Sequence, residues 1–336
     1  LSESFYDFII VDEVHHIAAN SYRPILNRFK PKVLLGLTAT PERMDGEDIL
    51  KDFCNTIAAE IRLPEALNRK LLCPFQYFGI TDNIDLSNVE WKNGRYLPSE
   101  LTKLYTQNDK RVGDIIVSLE KYLRDLHEVR ALCFCVSQEH AEFMAEKFTL
   151  AGFKADYLIS SRNDEREVLR KKFQSKEINY LFVVDIFNEG IDIPDIDTVL
   201  FLRPTESLTV FLQQLGRGLR LAEGKDCLTV LDFVGNSRPE YDFEGKFRAL
   251  VGKTNTSIQK EIEDDFPHLP LGCTIVLERK AKDFIIQNIK QATNLNKNQL
   301  LNKIRNFKYQ TALPLTLKNF INFYHIPIQY IYKRGN

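Results

Sequence analysis

Features that mark membrane-bound, secreted or zinc-stapled proteins are missing from this sequence of 336 residues. It contains no run of about 18 uncharged apolar residues, which argues against a membrane-spanning helix. Residues 1–25 lack the basic-then-apolar order of a secretory signal peptide. The six cysteines form no C-x-x-C pair and have no histidine at zinc-ligand spacing. We therefore expect neither disulfides nor structural zinc, and a reducing, cytoplasmic location.

Acidic residues are nearly absent from the C-terminal part of the chain. The whole chain carries 45 Lys and Arg against 46 Asp and Glu, but residues 279–336 carry eleven Lys and Arg and one acid, Asp283. Such a basic end either binds a polyanion or is a set of solvated helix faces that neutralises an acidic remainder. Aromatic side chains among these lysines either stack on nucleic-acid bases or form a helical core. They are Tyr309, Phe320, Phe323, Tyr324, Tyr330 and Tyr332.

Short apolar runs alternate with amphipathic stretches along most of the chain, which is long enough for about two domains. The runs are nearly continuous, as expected of strands that are buried on both faces of a parallel sheet. Helical patterns lie between them, for example at 138–150 and 163–173. The alternation predicts an α/β fold, with helices on both faces of the sheet. The predicted strands are 8–11, 33–35, 131–136, 180–184, 199–202 and 228–231.

Two segments depart from this alternation. Between residues 61 and 108, prolines, an Asn93-Gly94 pair and the only tryptophan, Trp91, predict a linker that carries a short strand at 75–80 and a hairpin. Beyond about residue 250 no strand is predicted, so we expect the chain to end in an all-α extension. The helices predicted there are 280–292, 297–307 and 315–324.

The first predicted strand leads directly into charged residues. Asp12 and Glu13 follow the run 8–11, and His15 comes two residues later. In an open parallel sheet, ligands bind beyond the carboxyl ends of the strands. Two adjacent carboxylates there suit a hydrated Mg²⁺ beside a phosphate, one holding the metal and the other polarising a water. For this motif alone, a charged turn without function is an equally good interpretation.

Other polar residues follow later predicted strands. Thr38 and Thr40 come after the second run, which places their hydroxyls at the same edge of the sheet. From Gln213 onwards the chain has Q-x-x-G-R-x-x-R spacing, with Arg217 and Arg220 three residues apart. On one helix face, two arginines at this spacing can clamp one polyphosphate. Taken alone, the segment is equally typical of a solvated basic helix.

These motifs, taken in order, resemble a known family. D-E-V-H at 12–15, T-A-T-P-E-R at 38–43, N-E-G-I-D-I-P at 188–194 and Q-Q-L-G-R-G-L-R at 213–220 are similar to motifs II, III, V and VI of superfamily 2 DEAD/DEAH-box (DExH) helicases. The D-E-V-H variant and the residues after T-A-T-P-E-R resemble restriction-enzyme motor subunits and excision-repair helicases. The resemblance implies RecA-like domains and ATP-driven movement on nucleic acid.

The resemblance also implies a division of the chain. Part of a first RecA-like domain would occupy residues 1–62, followed by the linker at 63–110. A complete second RecA-like domain would occupy residues 111–250, and the helical extension would occupy 251–336. The strands before residue 62 are too few to close a sheet, so we expect their exposed edges to pack on a neighbour or to swap between chains.

Carried over residue by residue, the resemblance implies ATP and Mg²⁺ as cofactors. Asp12 would hold the metal through water, and Glu13 would orient and deprotonate the attacking water. His15 would couple the nucleotide site to the opposite domain, through Gln213. Arg217 and Arg220 would reach across to the phosphates as arginine fingers.

The same carry-over assigns five residues near the nucleic acid or the ribose. Thr38 and Thr40 would couple ATP hydrolysis to the binding of nucleic acid. Gly190 and Asp192 would approach the ribose and the nucleic-acid backbone. Ser137, which follows the strand at 131–136, would contact a phosphate of the nucleic acid.

A complete motor of this kind also needs a P-loop, G-x-x-x-x-G-K-[ST], and the sequence contains none. Gly252-Lys253-Thr254 has the right end, but Phe247 stands where the first glycine is required. We therefore expect the chain to be the C-terminal portion of a longer motor, completed by an upstream first RecA-like half, and to hydrolyse no ATP alone. DNA is the favoured track. An RNA motor, or a nucleic-acid-binding scaffold without ATPase activity, is the alternative.

Overall fold

The computed structural model describes residues 1–14, 23–38, 49–184, 193–205, 207–292, 297–326 and 328–332. The strands are β1 (Phe8–Val11), β2 (Val33–Gly36), β3 (Phe75–Asp85), β4 (Trp91–Lys92), β5 (Arg95–Tyr96), β6 (Ala131–Phe134), β7 (Ala155–Leu158), β8 (Tyr180–Val183), β9 (Thr198–Phe201), β10 (Leu228–Asn236) and β11 (Thr274–Leu277).

The helices are α1 (Arg23–Arg28), α2 (Leu63–Asn68), α3 (Pro98–Thr106), α4 (Asp109–Tyr122), α5 (Gln138–Leu150), α6 (Arg166–Gln174), α7 (Leu208–Gly218), α8 (Phe243–Val251), α9 (Ile258–Glu263), α10 (Arg279–Gln291), α11 (Lys297–Gln310), α12 (Leu317–Tyr324) and α13 (Ile328–Tyr332). Two 3₁₀ segments, Ile49–Phe53 and Ser160–Glu165, complete the regular structure of the described ranges. No helix in these ranges is long and apolar enough to cross a membrane.

The main body is a seven-stranded sheet in the order β11-β3-β10-β9-β6-β8-β7, and every neighbouring pair is parallel. Alternate residues of the central strands enter two separate cores. In β6, for example, Leu132 and Phe134 face one core, and Ala131 and Cys133 face the other. Helices α4 and α5 cover the second core, and α6 to α10 contribute to the first. The predicted RecA-like sheet with helices on both faces is confirmed.

Helix α5 shows how local sequence sets an element. Ser137 precedes its first turn, and the Ser137 Oγ accepts a hydrogen bond from the backbone N–H of His140 at 3.2 Å. Gly152 lies just past the end with a φ of +89°, a conformation that favours glycine. The helix prediction for 138–150 is therefore confirmed at both ends.

The strand predicted at 75–80 is longer and lies elsewhere than expected. It runs from Phe75 to Asp85 and lies between β10 and β11, inside the seven-stranded sheet. The side chains of Phe75 and Tyr77 are fully buried in the first core. The prediction of a short strand in a linker was wrong, because the partners of β3 come from parts of the chain more than a hundred residues away.

The C-terminal segment is not all-helical, which corrects the prediction for 251–336. Thr274–Leu277 forms the edge strand β11, parallel to β3. Only Ile275 among its four residues is buried, as expected of a short strand at the edge of a sheet, although residues 275–277 form an apolar run. The predicted helices of this segment are present as α10, α11 and α12.

The aromatic residues of the basic end form a small core of their own. Phe307, Phe320, Phe323 and Tyr324 are buried together, with ring centroids 5.0–6.2 Å apart. These rings therefore pack on one another, which favours the helical-core interpretation for them. The ring of Tyr332, in contrast, is 66% exposed.

The Asn93-Gly94 pair forms the predicted hairpin. Strands β4 and β5 are antiparallel, and Trp91 pairs with Tyr96. Asn93 and Gly94 have φ values of +52° and +79°. A two-residue turn with positive φ at both positions is the type I′ turn that this dipeptide favours.

Near the N-terminus, β1 and β2 form a separate two-stranded parallel sheet. In this register Phe8 lies beside Val33, and Ile10 beside Leu35. These four side chains share one face and are 68%, 45%, 64% and 39% exposed, respectively. The small sheet thus presents an apolar face to solvent, while its other face, with Ile9, Val11 and Leu34, packs on Val14, Leu26 and Phe53.

Candidate functional site

The candidate site begins where β1 ends. Val11 is buried, whereas Asp12 is exposed and Glu13 half-exposed. The Asp12 Oδ1 accepts a hydrogen bond from the backbone N–H of Glu13 at 2.9 Å. Glu13 has a φ of +48°, in the left-handed region that non-glycine residues rarely adopt. Such backbone conformations cost about 1–3 kcal/mol and are concentrated at functional sites.

The end of β2 lies beside this carboxylate pair. The backbone N–H of Leu37 donates to the carbonyl of Val11 at 2.9 Å, and the N–H of Val14 donates to the carbonyl of Leu37 at 2.9 Å. Thr38 follows directly, so it lies at the same sheet edge as Asp12 and Glu13. His15 and Thr40 lie outside the described residues.

A helix of the seven-stranded unit supplies the next side chain. The Nε2 of Gln213, on α7, donates a hydrogen bond to the Oε1 of Glu13 at 2.8 Å. Helix α7 begins at Leu208, where the Ser207 Oγ accepts from the backbone N–H of Val210 at 3.2 Å. Residues 200 positions apart are thus joined at one carboxylate. The described partner of Gln213 is Glu13, and the expected contact with His15 lies outside the described residues.

The two arginines of the motif differ in their positions. Arg217 lies on α7, one turn after Gln213, and only 9% of it is exposed. Residues four apart share a helix face, so Arg217 lies on the side from which Gln213 reaches Glu13. Helix α7 ends at Gly218, and Arg220 lies in the turn beyond it. The prediction that both arginines share one helix face is therefore wrong, because the two glycines of the motif, Gly216 and Gly218, weaken the helix at this point.

Lys225 holds the end of this helix. Its Nζ donates to the carbonyl oxygens of Gly218, of Arg220 at 2.9 Å and of Pro194 at 3.1 Å. Burial lowers the pKa of Lys225 from its ordinary value. A cation at the last carbonyls of a helix complements its dipole. Lys225 thereby joins the turn after Arg217 to the segment that follows residues 185–192, a role that sequence motifs did not indicate.

Ser137 has two hydrogen bonds within the protein. Besides capping α5, its Oγ accepts a hydrogen bond from the Thr102 hydroxyl at 2.9 Å. Thr102, on α3, is a buried residue that no motif pointed to. Gly190 and Asp192 lie outside the described residues.

The carboxylates at 12 and 13 fit a magnesium ion that is held through water. Mg²⁺ keeps several of its waters and binds to proteins through one or two carboxylates together with substrate phosphates. Asp12 is exposed, and the Glu13 N–H fixes the direction of its carboxylate. Within the described residues, no group of three or more His, Cys, Asp and Glu side chains could hold a metal. Two carboxylates of this kind suit a hydrated ion that also binds phosphate oxygens.

Several known proteins and protein families are similar to this chain. A family model described as Helicase conserved C-terminal domain matches residues 114–222, and one described as Type III restriction enzyme, res subunit, matches residues 1–43. The ATP-dependent helicase IRC3 of Saccharomyces cerevisiae is 34% identical over 241 residues, which are 69% of this chain and 34% of that protein. The DNA 3'-5' translocase XPB2 of Sulfurisphaera tokodaii is 24% identical over 273 residues, 70% of this chain and 60% of that protein.

The fold is also found among solved structures. The ATP-dependent Type ISP restriction-modification enzyme LlaBIII, bound to DNA, has a TM-score of 0.56 and 18% identity, over 88% of this chain and 24% of that one. The chain spans 34% to 49% of the length of the first three curated relatives that it matches.

Proposed function

Because this chain belongs to the superfamily 2 helicases, we propose that it forms part of a motor that couples ATP hydrolysis to movement along DNA. The observation that carries this proposal is the hydrogen bond between Gln213 Nε2 and Glu13 Oε1 at 2.8 Å. It brings the carboxylate pair of the small sheet to the helix that carries Arg217. The surroundings of a nucleotide bound at Asp12 and Glu13 would therefore depend on whether the small β1–β2 sheet and the seven-stranded sheet are in contact.

The proposed roles follow from the positions of the side chains. Asp12 holds a hydrated Mg²⁺, and Glu13 accepts a proton from the attacking water. Gln213 fixes the direction of the Glu13 carboxylate, and Arg217 and Arg220 reach the phosphates. When bound, Mg²⁺ supplies charge neutralisation at the phosphate oxygens.

The roles near the track remain part of the proposal. Thr38 and Thr40 transmit the state of the nucleotide to the nucleic acid, and Gly190 and Asp192 contact the ribose and the backbone. The place of Ser137 at the carboxyl end of β6 is compatible with a phosphate contact.

We also propose that an upstream RecA-like half completes the motor and that the chain alone hydrolyses no ATP. The sequence lacks the G-x-x-x-x-G-K-[ST] pattern that cradles the phosphates. The edges of the two-stranded sheet could pair with further strands of the first half, and helices of that half could cover its exposed apolar face. A robust Mg²⁺-dependent rate that Glu13→Gln abolishes in the isolated chain would overturn this.

DNA is proposed over RNA because a relative that matches 70% of this chain is named a DNA translocase. A cytoplasmic location belongs to the same proposal and is supported by six cysteines that are all free thiols. A nucleic-acid-binding scaffold without ATPase activity is the second candidate, and the intact Asp12, Glu13, Arg217 and Arg220 favour the motor over it.

Binding of the isolated chain to labelled duplex and single-stranded oligonucleotides, across a salt series, tests the proposal. Affinity should fall steeply as salt rises, since phosphate contacts release counterions. The matched comparison is a chain that ends at Ala292. A shorter chain would lose α10, whose Ala281 and Ile285 are buried in the first core. If no oligonucleotide binds at low salt, the proposal fails for this chain, and RNA bound more tightly than DNA would favour the RNA motor.

Joining this chain to a P-loop-bearing first half tests the catalytic roles. Glu13→Gln should lower kcat by roughly 10²–10⁴-fold, the range for general acid–base catalysis. Gln213→Leu should lower kcat with little change in stability, because its partner Glu13 is only half-buried. Gln259→Leu is the control, because Gln259 is also half-buried and also donates to a glutamate, Glu263, at 2.8 Å, but lies on α9. Equal rates for the Gln213 and Gln259 variants would contradict the role of the 2.8 Å contact.

A further inference from the structure

The hairpin formed by β4 and β5 lies over the carboxyl edge of the seven-stranded sheet. Trp91 and Arg95 line a groove together with Val136, which follows β6, and with Arg203 and Thr205, which follow β9. Ligands of open α/β sheets bind at this edge. The hairpin therefore forms one wall of a small groove, with room for about one water molecule, so a ligand at this edge would lie over the groove rather than inside it.

Hydrogen bonds fix the hairpin to the sheet. The backbone N–H of Arg238, which follows β10, donates to the Tyr96 hydroxyl at 2.8 Å. The Arg238 Nη1 donates to the carbonyl of Val89 at 3.3 Å. The ring of Trp91 lies edge-on to that of Tyr96, with centroids 4.9 Å apart. The indole is thus held by the fold rather than by a flexible loop, while part of it remains exposed.

The groove also lies beside the residue that the motif analysis assigned to a nucleic-acid phosphate. Ser137 follows the groove residue Val136 directly, and its Oγ accepts a hydrogen bond from the Thr102 hydroxyl at 2.9 Å. Thr102 belongs to α3, which begins at Pro98 immediately after the hairpin. The hairpin and Ser137 are therefore neighbouring parts of one surface.

The charge of this surface favours a polyanion. The hairpin residues 91–96 include Lys92 and Arg95, both exposed, and no acid. Among the described residues that line the groove, the charged ones are Arg95 and Arg203. Guanidinium groups bind phosphates, and an indole face stacks on an unpaired base. Paired bases in a duplex do not offer that face.

We propose that the β4–β5 hairpin binds single-stranded nucleic acid, with Trp91 as the surface on which a base stacks and Arg95 as a phosphate contact. This inference rests on the proposed function, because it names a contact between the motor and its track. It assigns a function to a hairpin that lies outside every motif described above.

The chain contains a single tryptophan, so intrinsic fluorescence reports on Trp91 alone. We expect an oligothymidine to quench this fluorescence, with the same midpoint as the anisotropy change of the labelled oligonucleotide. An oligouridine arm distinguishes DNA from RNA as the source of the strand. If duplex DNA quenches as strongly as the single strand at equal occupancy, the single-strand assignment is wrong.

Variants supply an independent readout. Trp91→Ala should weaken binding by roughly 5- to 150-fold, the range for one lost base–aromatic stack. Arg95→Gln should lower the slope of log affinity against log salt by about 1. Tyr332→Ala removes a ring that is 66% exposed on α13 and serves as the matched control. If Trp91→Ala does not fold, the fluorescence titration of the unaltered chain and Trp91→Phe still decide the question.

The failures of the two proposals are distinguishable. If the labelled oligonucleotide binds while Trp91 fluorescence and the affinity of Trp91→Ala remain unchanged, the hairpin inference is overturned and the proposed function stands. If no oligonucleotide binds at any salt concentration, the proposed function is overturned, and the hairpin inference with it.

Discussion

Arg111 carries an ion pair whose contribution to stability can be tested sharply. It lies in the first turn of α4, and its Nε donates to the Asp82 Oδ2 at 2.9 Å. Its Nη2 donates to the carbonyl of Leu202 at 2.8 Å, and the guanidinium lies 4.0 Å from the ring centroid of Tyr105. Arg111 and Asp82 are 4% and 5% exposed. The pair thus joins α4, β3 and the end of β9 inside the protein.

Arg111→Met keeps much of the side-chain volume but leaves the Asp82 carboxylate buried without its cation. Removing one partner of a buried pair costs about 3–5 kcal/mol. We therefore expect the free energy of unfolding to fall by about 4 kcal/mol, measured by urea denaturation at neutral pH. Adding Asp82→Asn should recover part of this loss, because the second substitution removes the stranded charge.

The chain offers a control ion pair with the same N–O distance in a solvent-exposed environment. Lys260 and Asp264 also form an ion pair at 2.9 Å, but their side chains are 54% and 46% exposed. Solvent screens such a pair, so Lys260→Met should lower the free energy of unfolding far less than Arg111→Met does. If the Arg111 and Lys260 variants lose similar stability, burial is not what makes the Arg111 pair important, and the reasoning fails.

Three further predictions concern His140 and two glycines. Burial and two nearby arginines hold the pKa of His140 well below its ordinary 6.5. Below about pH 6.5 the unfolded chain therefore binds a proton at this position, whereas the folded chain does not. The free energy of unfolding should therefore fall as pH falls below this value, by up to about 1.4 kcal/mol per pH unit. The fall should be less steep in His140→Gln. If the two proteins show parallel curves of stability against pH, the prediction is wrong. Gly235→Ala should destabilise by about 1–3 kcal/mol in urea unfolding, because its Cβ would lie 2.6 Å from the carbonyl oxygen of Ile84. Gly113→Ala, inside α4 with no atom within 4 Å of its Cβ, should instead stabilise by about 0.4–1 kcal/mol; a loss there would show that the helix is strained.

The sequence predicts the centre of the large sheet better than its edges. Strands β6, β8 and β9 are buried at every position, so their apolar runs stand out. The two strands that were not predicted, β7 and β11, lie at the two edges of the sheet. Three of four residues in each are not buried. Asp156 interrupts the apolar pattern of β7, and the apolar run of β11, 275–277, is only three residues long. The position of β3 could not be predicted either, because pairing between distant parallel strands leaves no local pattern.

For the candidate site, the motif residues could be predicted from the sequence, but the hydrogen bonds that hold them in place could not. Spacing and resemblance pointed to Asp12, Glu13, Gln213 and Arg217, but they did not predict that Gln213 would bond Glu13. Lys225 acts through three backbone carbonyls, which have no side-chain identity for a sequence motif to record. The functional roles of the motif residues remain predictions.

The place of β3 in the sheet has a consequence for synthesis on the ribosome. Its partners β10 and β11 begin roughly 140 and 190 residues after β3 ends. At a synthesis rate of about 5–20 residues per second, β3 is therefore complete roughly 7–40 s before these partners are made. During that time an eleven-residue strand with buried-type side chains, among them Phe75 and Tyr77, has neither neighbour. Unpaired apolar strands associate with other chains, so the nascent protein should depend on chaperones until β10 emerges.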